Sequence, residues 1–239
     1  MKSISSRQNT LYKRIREAIR EHDSEIVIEG PKPVADAIAA GWRPLAIVTR
    51  GESERRDAVA FSHELFDSLA ETRSPQSVIG LFSRKSGNAA EIFARCDSVA
   101  VALDGVQDPG NVGTIVRLAA AFDASGVLLL PSCADPFGPK AIRSSVGAVL
   151  NVPIANVTAT ELIASGLPLF ATAMHGSPAD PPAREAILLF GNEGAGVSEE
   201  LLRHSALLSI PMSGRVESLN VASSAAILLS RSFAQRATR

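Results

Sequence analysis

The sequence predicts an α/β protein whose main sheet is mostly parallel, with helices on both faces. Three observations carry this. Short apolar runs alternate with helical stretches through brief polar links, the pattern of strand–helix–strand units. Ser98–Leu103, SVAVAL, is apolar without alternation, as a strand buried on both faces must be. Strand-like runs are followed by glycine-bearing loops that open onto helix starts, the place where open α/β sheets hold ligands. The clearest case is Leu207–Leu229, LLSIPMSGRVESLNVASSAAILL. There a strand Leu207–Ile210 is stopped by Pro211, a polar loop with Gly214 follows, and a small-residue helix runs over Val221–Leu229. An ordinary β–α connection is the plain alternative for that stretch.

At 239 residues the chain is long enough for one or two domains with a sizeable core. Aromatics make up only 5%, so Ala, Val, Leu and Ile must fill that core. A net charge of −1 gives no global nucleic-acid signature. Residues 2–20 differ: Lys2, Arg7, Lys13, Arg14, Arg16 and Arg20 stand against one acid, Glu17. Such an arm can follow a phosphate backbone, or can be a solvated helix face. Cys96 and Cys133, and His22, His63, His175 and His204, lack metal-ligand or disulfide spacing, so no metal is expected. The opening MKSISSRQNT lacks the apolar core of a secretory signal. No apolar run is long enough to span a bilayer. A cytoplasmic protein without a membrane span is expected.

The elements follow in order. Asn9 or Thr10 caps a helix to about His22, with Leu11, Ile15 and Ile19 on one face. Ile26–Ile28 is a strand, Pro31–Ala40 a helix ended by Gly41, and Leu45–Thr49 a second strand. Asp57–Ala60 is a third strand, Ser62–Leu69 a helix and Ser77–Phe82 a fourth strand. This is a small α/β domain over residues 1–85. Polar RKSGN (84–88) and a short helix 89–95 mark a linker, placed at residues 86–96, before a larger domain over 97–239. In the larger domain, Ser98–Leu103, Val127–Leu130, Ile154, Pro168–Ala173, Ile187–Phe190 and Leu207–Ile210 are strands. Gly113–Phe122, Ala141–Val149, Thr160–Ser165, Ser198–Arg203 and Val221–Leu229 are helices.

Three loops carry chemistry. In Asp104–Arg117, DGVQDPGNVGTIVR, a tight turn at Asp108–Gly110 precedes a helix capped by Asn111. Arg117 then stands among Ile115, Val116, Leu118 and Ala119, either in a structural salt bridge or as an anchor for a phosphate or an oxyanion. In Leu188–Gly196, LLFGNEGAG, three glycines let the backbone approach a ligand closely, and Glu193 is a carboxylate in the bend. Glu193 alternatively serves only a helix dipole. In the third loop Ser218 and Asn220 offer polar groups at a helix start, with capping alone as the alternative.

Together the loops resemble the SpoU (TrmH) family of RNA 2′-O-ribose methyltransferases of the SPOUT superfamily. Its N-x-G-x-x-x-R pattern is matched by Asn111, Gly113 and Arg117, and its G-x-E-x-x-G by Gly191, Glu193 and Gly196. Its I-P-M-x-G-x-x-x-S-L-N is matched by Ile210, Pro211, Met212, Gly214, Ser218, Leu219 and Asn220. The likeness covers about residues 97–239. More loosely, through IVIEG and SPQSVIGLF, the first block resembles the L30e-like substrate-binding domain of many members.

The resemblance implies a C-terminal trefoil knot, a homodimer with the site at the subunit interface, and S-adenosylmethionine as cofactor. It implies Gly191, Ile210 and Leu219, with Thr172, Ala173, Gly194 and Met212, as cofactor contacts. It makes Arg117, Asn111, Glu193, Ser218 and Asn220 the catalytic set, with Arg117 steadying the developing alkoxide, since a guanidinium is a poor base. Arg7, Lys13, Arg14 and Arg16 are the expected RNA contacts. The expected substrate is structured RNA, ribosomal before transfer RNA. An RNA-binding or ribosome-assembly factor with an idle site is the alternative. A nicotinamide-dependent enzyme is disfavoured by the missing Gly fingerprint and ribose acid.

Overall fold

The computed structural model describes residues 3–21, 23–70, 76–95 and 97–237; His22 and Cys96 lie outside them, as does the start of SPQSVIGLF. The chain divides into two units, Met1–Lys85 with Phe137–Ile142, and Ser86–Pro136 with Arg143–Arg239.

The first unit holds α1 (Thr10–Glu21), β1 (Glu25–Glu29), α2 (Pro31–Ala39), β2 (Pro44–Arg50), β3 (Val59–Phe61), α3 (His63–Asp67) and β4 (Val78–Ser83). Its sheet runs β1-β4-β2-β3, with β4 antiparallel to both neighbours and β2 parallel to β3. Asn9 caps α1, its Oδ1 accepting from the N–H groups of Leu11 (2.9 Å) and Tyr12 (3.2 Å). The buried line of α1 is Tyr12, Ile15 and Ala18, while Leu11 and Ile19, expected to lead the apolar face, are half-buried at its edges. Tyr12 can be buried because its hydroxyl meets Ser68 Oγ at 3.0 Å. The Phe137 ring lies 5.8 Å from that of Trp42, and the Arg84 guanidinium stands 4.7 Å from the Phe137 ring centre. These contacts draw a segment from far along the chain into the first unit.

The second unit is built on β5 (Ala100–Asp104), β6 (Val127–Leu129), β7 (Ile154–Asn156), β8 (Leu169–Ser177), β9 (Ile187–Gly191) and β10 (Ser205–Leu208). The strand order is β10-β8-β9-β5-β6-β7 and every pairing is parallel. The helices are α4 (Ala89–Ala94), α5 (Pro109–Ala121), α7 (Ala159–Ala164), α8 (Glu199–Leu202) and α9 (Val221–Ala237); α6 (Pro139–Ser145) begins within the Phe137–Ile142 segment of the first unit. On one face Ala100, Ala102, Leu128, Ile187 and Leu189 pack with Ile92 of α4, Leu162 of α7 and Leu201 of α8. The alternate residues Val101, Leu103, Leu188 and Phe190 are equally buried, so the other face is covered too; α9 packs on β9 and against α5. No helix among the described residues is long and apolar enough to cross a membrane.

Several boundaries differ from expectation for local reasons. The short helix expected over residues 89–95 is present as α4, capped by Asn88, and it buries Ile92 in the second core. The third strand lies at Val59–Phe61 and β10 ends at Leu208, before Pro211 can act. The helix expected over Ala141–Val149 stops at Ser145, and a 3-10 turn follows. The cause is local backbone, since Val146 takes φ 51° and Gly147 takes φ 81°. The last helix runs eight residues past Leu229 to Ala237. Its extension is held by Ser232 Oγ donating to Pro182 O (2.6 Å) and by Arg236 Nη2 donating to Phe122 O (2.9 Å) at the end of α5.

Candidate active site

The site forms where β8, β9 and β10 end. β9 finishes at Gly191, where a Cβ would lie 2.1 Å from the carbonyl carbon of Gly196, so no side chain fits inside this bend. Asn192 closes it: its backbone exchanges hydrogen bonds with Gly196 (3.0 and 2.9 Å), and its Oδ1 accepts from Gly194 and Ala195 N–H (2.9 Å each). Asn192 Nδ2 donates to Gly105 O at 2.8 Å, which ties the bend to the exit of β5. Asp104, the last residue of β5, accepts from Ser198 N–H at 2.7 Å; Ser198 itself makes no side-chain cap on α8. Neither Asn192 nor Asp104 was among the expected site residues. The available signal was Asn in a glycine-rich bend, where its amide mimics a backbone turn.

α5 begins at Pro109, four residues before the expected Gly113. Asp108, not Asn111, is its N-cap, and Pro109 occupies the first helical position, where a missing N–H costs nothing. That correction leaves the Asn111 side chain available. Its Nδ2 donates to Glu193 Oε1 at 2.9 Å, and its Oδ1 accepts from Asn220 Nδ2 at 3.0 Å. Asn220 also caps α9 through Oδ1, accepting from Ala222 N–H (2.9 Å) and Ser223 N–H (3.2 Å). Capping and bridging thus coexist in one side chain.

Glu193 accepts two further bonds, from the N–H groups of Gln107 (to Oε2) and Asp108 (to Oε1), both at 3.2 Å. Partial burial pushes its carboxyl up, but the Asn111 amide and the backbone donors outweigh it and hold the group below the usual carboxylate range. Glu193 lies well ahead of α8, which starts at Glu199, so it does not serve that helix's dipole; its partners are the residues leading into α5.

A cavity of about 610 Å³ opens between the bend and the crossing loop from β10 to α9. All seven expected cofactor residues line it: Thr172 and Ala173 of β8, Gly191 and Gly194 of the bend, and Ile210, Met212 and Leu219 of the crossing loop. Glu193, Ser218 and Asn220 line it as well; Asn111 stands behind them and Arg117 is not part of the wall. Arg117 lies on the exposed side of α5, whose buried face is Val112, Gly113, Ile115, Val116 and Ala119. Among the described residues no salt bridge or hydrogen bond engages it.

In the first unit, Arg14 is held by Glu25, its Nε lying 3.0 Å from both carboxylate oxygens, and this hydrogen-bonded pairing raises the guanidinium pKa. Arg7, Lys13 and Arg16 are exposed. Cys133 donates its thiol to Leu103 O at 3.1 Å, and burial pushes its pKa up, the opposite of what a nucleophile needs. Among the described residues no cluster of His, Cys, Asp or Glu is arranged to hold a metal ion.

The chain is similar to known proteins in both sequence and fold. The 23S rRNA (guanosine(2553)-2′-O)-methyltransferase RlmP of Bacillus subtilis is 36% identical over 70% of this chain and 69% of its own length. The crystal structure of an AdoMet-bound rRNA methyltransferase from Sinorhizobium meliloti superposes with a TM-score of 0.87, at 31% identity over 98% of both chains. That of the SpoU methyltransferase AviRb from Streptomyces viridochromogenes, in complex with AdoMet, gives 0.85 at 26% identity, over 97% of this chain and 99% of that one. The family profile described as SpoU rRNA Methylase matches residues 98–230, more than half of the sequence, and the chain belongs to that family.

Proposed function

We propose that this chain methylates a ribose 2′-hydroxyl of structured RNA with S-adenosylmethionine as donor, acting on ribosomal RNA before transfer RNA. The observation that carries the proposal is the meeting of two separate loops at one cavity, whose wall residues Glu193 and Asn220 are joined by hydrogen bonds through Asn111 of the third loop behind them.

The residues fit this cofactor. The cavity volume is within the range of small-molecule sites. Leu202, Leu208, Ile210 and Leu219 provide apolar surface for a nucleobase, while the backbone of the 191–196 bend provides polar groups for ribose and amino-acid ends. The bound cofactor supplies an electrophilic methyl on a sulfonium.

The protein's part is to position and to compensate charge. The attacking hydroxyl loses its proton as the new C–O bond forms, so negative charge grows on the ribose oxygen. Arg117 holds the neighbouring phosphate and stabilises that oxygen electrostatically. Its exposed, unpaired state among the described residues suits a group awaiting an anion from outside the protomer. Glu193, fixed by its hydrogen bonds, holds Asn111; Asn111 holds Asn220, and Ser218 borders the same wall. Arg7, Lys13 and Arg16 of the first unit, an L30e-like RNA-binding domain in this reading, follow the RNA backbone, with Arg14 contributing only once it is released from Glu25.

The same reading includes a homodimer and a trefoil knot. Val216 beside the cavity and Phe233 on α9 are large apolar residues left exposed, which supports a subunit partner there. The crossing loop leads from the edge strand β10 to α9 beside α5, as a threaded chain end requires. A cytoplasmic location belongs to the same reading. Isothermal calorimetry with S-adenosylmethionine tests the core of the proposal: micromolar binding supports it, while RNA binding without cofactor binding would mark an idle member of the family.

A further inference from the structure

The wall of the cavity holds two carboxylates, Glu193 and Glu217, and no Lys, Arg or His. The two acids are differently placed. Both oxygens of Glu193 are occupied by Asn111, Gln107 and Asp108, so its charge is largely compensated by donors. Glu217 sits in the exposed crossing loop, immediately before Ser218, and among the described residues no hydrogen bond or ion pair engages it. Arg215, two residues earlier, is not part of the wall.

Methyl transfer changes the charge of what fills such a cavity. S-adenosylmethionine carries a sulfonium, an ammonium and a carboxylate. When the S–CH3 bond breaks and the methyl bonds to the ribose oxygen, the hydroxyl proton leaves to solvent and the sulfur keeps the bonding pair. The product, S-adenosylhomocysteine, is a neutral thioether with one positive charge fewer and otherwise the same groups. An uncompensated carboxylate near the sulfur therefore attracts the donor and not the product.

We propose that Glu217 is the residue by which this site distinguishes donor from spent product. Its carboxylate draws in the sulfonium, and that attraction vanishes at turnover, which speeds product release. The inference rests on the cavity being the S-adenosylmethionine site. It differs from a contact to the ammonium or to the ribose hydroxyls, because those groups are shared by both molecules and would favour neither.

The test is calorimetry on the full-length protein with S-adenosylmethionine and S-adenosylhomocysteine, using wild type, Glu217→Gln and Glu217→Asp, at low and at high salt. Gln keeps size and hydrogen bonding but removes the charge. A unit charge a few ångströms away in a solvated site corresponds to a change of about fivefold. Glu217→Gln should weaken S-adenosylmethionine by that factor and leave S-adenosylhomocysteine within about twofold. Asp should retain part of the preference, and high salt should shrink the wild-type preference. Equal weakening of both ligands, or no change in either, overturns the assignment. If the wild type binds neither ligand, the reading of the cavity itself fails and takes this inference with it; binding of both with an unaltered ratio sinks only the role of Glu217.

Discussion

Asn111 Nδ2 donates to Glu193 Oε1 at 2.9 Å, joining the helix that follows β5 to the glycine bend that follows β9. Asn220 completes the line from the third loop, donating to Asn111 Oδ1 at 3.0 Å. If these groups act as one unit, their deletions are not additive. Asn111→Ala and Asn220→Ala should each reduce methylation. The double variant should fall short of the product of the two by a coupling of about 0.5–3 kcal/mol, the range for residues in one network. Asn220→Ala should additionally cost about 1 kcal/mol of stability, because α9 loses its cap. Double-mutant cycles in single-turnover rates and in denaturant unfolding check both statements.

The bend itself discriminates between two glycines. A Cβ on Gly191 would stand 2.1 Å from Gly196 C and 2.2 Å from Val197 N, both backbone atoms that cannot yield without opening the bend. A Cβ on Gly194 would meet nothing nearer than Asn192 Oδ1 at 3.6 Å. Gly191→Ala should therefore abolish cofactor binding, while Gly194→Ala should bind within a few-fold of wild type. Calorimetry on the two folded variants, with circular dichroism as the folding check, decides the point.

Arg117 is set apart from the cofactor wall, which makes a separable prediction. Arg117→Ala should bind S-adenosylmethionine normally and transfer the methyl at least ~100-fold more slowly, the scale of one lost charge-stabilising donor. Single-turnover rates on saturated enzyme measure this directly. An unchanged rate would remove Arg117 from the chemistry.

Much of this arrangement is legible in the sequence because it rests on local signals. The SVAVAL run gives the central strand, and the motif spacings mark the three loops. What local reading misses is decided by tertiary partners. Asn111 and Asp108 are both good caps, and only the Pro109 start together with the pull of Glu193 and Asn220 settles which side chain serves the helix. Asn192 reads as a turn residue, and its bond to Gly105 O depends on β5 and β9 being neighbours. The end of α9 beyond Leu229 carries little apolar pattern; Ser232 and Arg236 hold it by bonds to distant carbonyls. Phe137 shows no sign in sequence that its partner is Trp42.

Acid should loosen the site through Glu193. Its folded-state pKa is lowered, so its contribution to stability is complete above the unfolded value of about 4.3 and is lost as pH falls through the folded value. Between about pH 5 and pH 8 the stability difference between wild type and Glu193→Gln should be constant. Below about pH 4 it should shrink, as the wild-type carboxyl takes up a proton and ceases to accept from both Gln107 and Asp108. Denaturant unfolding of both proteins over this range reads the difference. A gap that widens in acid would mean that the carboxylate destabilises the fold.

The central claim is that this cavity delivers a methyl group to a ribose oxygen. The direct measurement is incubation of the protein with ribosomal RNA from cells lacking it and with S-adenosylmethionine labelled in the methyl group, followed by alkaline hydrolysis. A 2′-O-methyl removes the hydroxyl that attacks the neighbouring phosphodiester, so label in an alkali-resistant dinucleotide is the predicted result, absent with Arg117→Ala. Label recovered in single nucleotides, and hence on a base, would contradict the account, as would no transfer to either ribosomal or transfer RNA by protein that binds the cofactor.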